Sequence, residues 1–217
     1  MDKITVIWFV SLVAAVILHE ISHGVVALWF GDETAKRAGR LTLNPVPHID
    51  PFGSIILPAL GALSGLPVIG WAKPVPVNPA ALRNPRRDML YVSLAGPGTN
   101  FLLAAVSAFA ARAFFSAFDE GIFLSWEELS LPVLFLFTFA VVNVFLGVFN
   151  LLPIPPLDGS ALIERVLPAR ALPGWHRFRP YGFLVLFVLV FSTGLVRFAV
   201  DPFYERIAEY VLDVQFV

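Results

Sequence analysis

Apolar positions run almost unbroken over residues 4–30, and the main interruption is the short polar group HEISH at residues 19–23. At about 1.5 Å per residue such a run exceeds the roughly 30 Å hydrocarbon core of a bilayer, so it predicts a first membrane helix. It ends at Gly31 and Asp32, and a polar stretch with Lys36, Arg37 and Arg40 follows. Residues 88–118 predict a second span, with Arg112 near its far end, and residues 131–152 a third, closed by a proline cluster. Residues 181–200 predict a fourth. The run 51–71 is different, because Pro51, Pro58 and Pro67 alternate with Gly53, Gly61, Gly65 and Gly70. That pattern favours turns and broken helix over a straight crossing. Residues 201–217 alternate polar and apolar positions, as an amphipathic helix at a membrane interface would.

Composition agrees with the pattern. The chain of 217 residues is 58% hydrophobic and 14% charged, where soluble domains average about 45–50% and 25%. The fold class expected is an all-α polytopic membrane protein. It has about four transmembrane helices, a re-entrant segment over residues 51–71 and a C-terminal amphipathic helix. The first apolar run continues past the length of a signal peptide without a small-residue cleavage pattern, so it reads as a retained anchor. A net charge of −1 argues against nucleic acid as a partner, and the absence of cysteine excludes disulfides and thiol nucleophiles.

Charge placement sets an expected orientation. Lys36, Arg37, Arg40, Lys73, Arg83, Arg86 and Arg87 lie between the first and second spans, and Arg165, Arg170, Arg177 and Arg179 between the third and fourth. The loop between spans two and three holds Asp119, Glu120, Glu127 and Glu128 instead. By the positive-inside rule the basic stretches are cytoplasmic and the acidic loop is outside. This works only if residues 51–71 dip in and return on the same side, which is tolerated where protein or a water-filled cavity covers the backbone.

HEISH carries the chemistry. His19 and His23 stand at i and i+4 on one helix face, and two neutral imidazoles at that spacing can take two corners of a zinc tetrahedron. Glu20, one residue along, can reach a metal-activated water as a general base. Two histidines satisfied by neighbours would be the bland alternative, but ionisable groups inside a span are expensive and point to function. Two places compete for the third ligand. Asp158 follows Pro153, Pro155 and Pro156, which must break the helix, while His48 and Asp50 lie in the first basic loop. Topology favours Asp158, since the third span returns to the side on which the first one ends. Asn143 and Asn150 share one face of the third span, and Asn100 lies in the second. Such amides either join helices by hydrogen bonds or, for Asn150 and Asn100, bind substrate backbone, and periodicity leaves both readings open.

With HEISHG, SLAGPGTNF and FNLLPIPPLDG in that order, the chain resembles the site-2 protease family of intramembrane zinc metalloproteases, and most of all its compact prokaryotic members. GDETAKRAGRLTLNPVPHIDPFG and GWAKPVPVNP extend the likeness over residues 15–165 or so. The resemblance implies Zn2+ held by His19, His23 and Asp158, Glu20 as catalytic base, and Asn150 beside an extended substrate. It implies a membrane-anchored protein substrate, cut within its transmembrane segment, while charge placement and the position of His19 along the first span put the expected active site toward the cytoplasmic side of a prokaryotic cell membrane. The expected organisation is one membrane-embedded domain over 1–217, with a catalytic core over 4–165, C-terminal helices over 181–217, and no room for a PDZ or CBS domain. Two rivals remain from the residues alone: an intramembrane metal transporter, and a non-catalytic binding or assembly protein. The sequence makes no statement on oligomeric state.

Overall fold

Asp2 opens the first helix by accepting a hydrogen bond from the Thr5 amide at 2.6 Å, and α1 then runs over Lys3–Trp29. The computed structural model describes residues 2–64, 70–118 and 129–212, and among these it is helical with no strand. A single turn, α2 (Thr34–Arg37), follows α1. A widened helical turn over Pro51–Ile56 leads into α3 (Leu57–Ser64). Next come α4 (Pro85–Phe118), α5 (Leu131–Asn150), α6 (Ser160–Val166), α7 (Leu172–Thr193) and α8 (Leu195–Leu212).

Three described helices, α1, α4 and α5, are long and apolar enough to cross a membrane. They pack against one another, and small residues line the contacts: Ala15, Ala27 and Ala111 are fully buried. In lipid, where burial of apolar surface adds little, such close approach is what holds helices together. Ile7 on α1 shares a core cluster with Ala111 and Phe115 near the end of α4 and with Val133 near the start of α5. α4 therefore runs antiparallel to both α1 and α5. The opposite end of this trio carries the polar groups.

The C-terminal part differs from the expected fourth span and interfacial tail. Gly194 takes a left-handed φ of 62° and divides the run between α7 and α8. Only glycine adopts that conformation without strain, so the apolar stretch is broken where its pattern looked continuous. The second piece does not lie apart from the bundle. Ala208, Val211 and Leu212 of α8 are buried in the cluster with Ile7 and Val133. Residues 213–217 of the expected tail and the acidic loop at 119–128 lie outside the described residues.

The connection from α1 to α4 leaves and returns at one end. The Asn78 amide donates to Asp32 Oδ2 at 2.7 Å, and the Arg83 amide to the Phe30 carbonyl at 3.2 Å. Between these anchors the chain folds back on itself, with Trp71 N on Gly53 O at 3.1 Å and Lys73 N on His48 O at 2.9 Å. The described residues 51–64 and 70–71 thus belong to an excursion anchored at the C-terminal end of α1, and residues 65–69 of the expected re-entrant run lie outside the described residues. The returning limb, residues 70–78, is non-helical and holds Pro74 and Pro76; it is called the strap below.

Candidate metal centre

The HEISH turn lies well inside α1, and its two histidines are buried against α4 and α5, with 6% and 8% of their surface exposed. Their i, i+4 spacing brings the Nε2 atoms to 3.0 Å of each other. Asp158 comes from the loop after α5. Prolines 153, 155 and 156 cannot continue that helix, and the Gly159 amide turns back to the Asn150 carbonyl at 2.7 Å. A side chain on Gly159 would strike the Leu151 carbonyl, so the turn beside Asp158 requires glycine. Asp158 Oδ2 then lies 3.1 Å from His19 Nε2 and 3.3 Å from His23 Nε2.

These three side chains are the group of potential metal ligands that converges among the described residues, with donor atoms within 4.8 Å of one another. Their protons decide whether a cation fits. His23 turns Nδ1 to the Val92 carbonyl at 2.6 Å; a carbonyl only accepts, so Nδ1 carries the proton and Nε2 presents a lone pair. His19 likewise turns Nδ1 outward, onto Asn100 Oδ1 at 2.6 Å. Asp158 Oδ2 is buried without a hydrogen-bond donor. Three acceptors thus face one another, an arrangement that a cation stabilises and its absence makes unfavourable. Two imidazoles and one carboxylate are a donor set suited to catalytic zinc. Gly96 of α4 lets the imidazoles pack this close, because a Cβ there would sit 2.5 Å from both of them.

Glu20 points to the strap. Its Oε2 accepts from the Val75 amide at 2.7 Å, and Val75 itself is buried against Gly24, where a Cβ would meet Val75 Cγ1 at 3.0 Å. The strap has two further holds. The Arg40 guanidinium donates to the Lys73 carbonyl at 2.6 Å, and Asp32, besides taking the Asn78 amide, accepts from Thr34 N at 2.9 Å. Burial works against the charge on Asp32, but the hydrogen bonds from Thr34 and Asn78 outweigh it and hold the acid below its ordinary value of 3.8.

The rival third-ligand residues are engaged elsewhere. His48 Nε2 bonds the Thr42 carbonyl at 3.0 Å, and Asp50 Oδ1 accepts from Gly53 N at 2.7 Å. Asn150 donates to the Leu146 carbonyl one turn back at 3.0 Å and is half-buried. Asn100 is fully buried, and its amide faces His19 on one side and Asn143 on the other, away from any surface a substrate could reach. The substrate-binding role expected for it does not fit that burial. Sequence reasoning missed the Val92 carbonyl and the Val75 amide, since backbone groups leave no trace in residue identity. It also gave no role to Gly96, whose place in SLAGPGTNF was the available signal.

The sequence pattern of peptidase family M50 matches residues 7–193. A protein of Bacillus subtilis (strain 168) named "Putative zinc metalloprotease YwhC" is 38% identical over 203 residues, covering 89% of this chain and 83% of its own length. "Putative zinc metalloprotease Rip2" of Mycolicibacterium smegmatis (strain ATCC 700084 / mc(2)155) is 32% identical, covering 91% of this chain and 70% of the relative. The protein of that name in Mycobacterium tuberculosis (strain ATCC 25618 / H37Rv) is 37% identical, over 86% and 67% of the two chains. No solved structure matches the chain.

Proposed function

This chain belongs to peptidase family M50 and is a zinc metalloendopeptidase of the site-2 protease type, and from that premise we propose that it cuts peptide bonds inside the transmembrane segments of other membrane-anchored proteins. The observation that carries this is the position of the centre. His19 lies about 24 Å along α1 from Lys3 and about 15 Å from Trp29, at 1.5 Å per residue, so the ligands sit within the length of a membrane-spanning helix. The basic residues that follow α1 and precede α4 support a cytoplasmic location for the nearer end, in a prokaryotic cell membrane.

His19, His23 and Asp158 would hold the zinc. Bound there, zinc supplies a Lewis acid for the scissile carbonyl and an acidified water. With that chemistry supplied, Glu20 would hold the proton given up by the attacking water on Oε1, the oxygen that the Val75 amide leaves open, and would deliver it to the departing amine as the peptide C–N bond breaks. The Val75 hydrogen bond keeps the carboxylate from swinging away. A helical substrate hides its amides in its own hydrogen bonds, so the scissile stretch unwinds before attack. Asn150, at the end of α5, and the strap then hold it extended beside the ligands.

The test is a single comparison in proteoliposomes, with parent and Glu20→Gln measured for zinc content and for cleavage of a single-span substrate. Zinc in both and cleavage by the parent alone are expected. Equal cleavage by Glu20→Gln would remove Glu20 as base, and a parent that binds zinc but never cuts would remove the protease reading.

A further inference from the structure

His19 and His23 have their outer nitrogens fixed in unlike ways. His23 Nδ1 meets a backbone carbonyl, whose chemistry permits one answer. His19 Nδ1 meets the Asn100 side chain, and an amide presents an oxygen or an NH2 depending on how it is turned. The next partner decides. Asn143 Nδ2 lies 2.8 Å from the Phe139 carbonyl, which can only accept, so Asn143 must turn its NH2 there. Its Oδ1 then faces Asn100 Nδ2 at 2.8 Å and demands a donor, so Asn100 turns its NH2 toward Asn143. That leaves Asn100 Oδ1 for His19 at 2.6 Å, an acceptor that requires the proton on Nδ1. Both asparagines are fully buried, so no water is at hand to reverse the sense of the chain.

We infer that Asn143, through Asn100, is a positioning residue for the metal centre: the relay from the Phe139 carbonyl holds His19 in the tautomer whose Nε2 lone pair faces Asp158. The relay crosses all three spanning helices, from α5 through α4 to α1. Two neutral amides do the work that a carboxylate beside a ligating histidine often does, without adding a charge to the bundle interior. This rests on the reading of His19 as a ligand and is independent of whether the protein cuts any substrate.

The measurement uses full-length protein with 15N-labelled histidine in lipid. In the metal-free parent both His19 and His23 are expected as Nδ1–H tautomers, and an Nε2–H resonance for His19 would overturn the inference whatever any variant does. Asn143→Leu keeps the branched four-atom outline of the side chain and removes the acceptor. It is expected to leave His23 as Nδ1–H, to mix the tautomers at His19, and to weaken zinc binding in chelator competition by about 10–100-fold. A parent-like His19 spectrum and zinc affinity in that variant would overturn the relay. Asn143→Asp is expected to rescue both readouts, because a buried neutral acid can donate to the Phe139 carbonyl and accept from Asn100. Failure to rescue in a folded Asp variant would count against the relay. Should the relay behave so in a chain that shows no proteolysis, the protease reading falls and this one stands. Cleavage by a parent whose His19 ignores Asn143 reverses that outcome.

Discussion

The face of α1 that carries His19 and His23 packs on α4 and α5, whereas Glu20, one residue along, turns its carboxylate to the strap. On the first side the groups that orient the imidazoles sit on long helices, Val92, Gly96 and Asn100 on α4 with Asn143 of α5 behind Asn100, and Asp158 alone comes from the loop after α5. On the second side the partner is one backbone amide, in a non-helical limb anchored by Gly53, His48, Arg40 and Asp32. The histidines proposed to hold the metal are thus oriented by the close-packed bundle. The proposed base is placed by a segment whose position depends on a handful of hydrogen bonds. The two should come apart under mutation.

The largest separation is expected from Glu20→Gln, with cleavage reduced by about 10²–10⁴-fold, the usual contribution of a general base, and zinc content unchanged. Loss of zinc in this variant would break the division. Gly96→Ala tests the helical side. Its Cβ would lie 2.5 Å from both imidazoles, so metal analysis should find clearly less than one zinc per chain and cleavage should fall with it. A fully loaded Gly96→Ala protein would mean that the imidazoles have slack the packing does not suggest.

Val75→Pro removes the amide that holds Glu20, in a strap that already carries Pro74 and Pro76. Cleavage should fall about tenfold, equivalent to about 1.4 kcal/mol, with zinc retained. An unchanged rate would show that Glu20 is positioned without the strap. The smallest effect on cleavage belongs to Asp32→Ala, which releases the strap at its far anchor and should instead cost about 1–2 kcal/mol of folding stability, read as a lower melting temperature in detergent. Because the Asp32 acid is held below 3.8, its contribution is complete above that pH and is lost only as pH falls through the lower folded value. The parent should therefore lose stability there, and Asp32→Ala should lack that component.

Much of this was legible in the residues. The runs behind α1, α4 and α5 are long and apolar, and each helix begins and ends within three residues of the boundaries read from hydropathy. HEISH announced two histidines on one face, converging as candidate ligands, because the i, i+4 spacing is itself a geometry. The proline cluster before Asp158 announced a break. Gly194 was harder to read, since a single glycine inside an apolar run either continues a helix or ends it according to what packs around it. The tail was read by its alternation as a surface helix, yet Ala208 and Val211 found a buried partner surface that no local pattern encodes.

The sequence by itself determined the solvent, the three principal spans and the types of the candidate ligands, because hydropathy, helix period and donor chemistry are properties of residues in order. Only the tertiary structure decided how those side chains are oriented. His23 is turned by the Val92 carbonyl, Glu20 by the Val75 amide and His19 by the amides of Asn100 and Asn143. Backbone groups are the same in every residue, and an amide's direction is set by its neighbours in space. Both become definite only when three helices and the strap have been brought together.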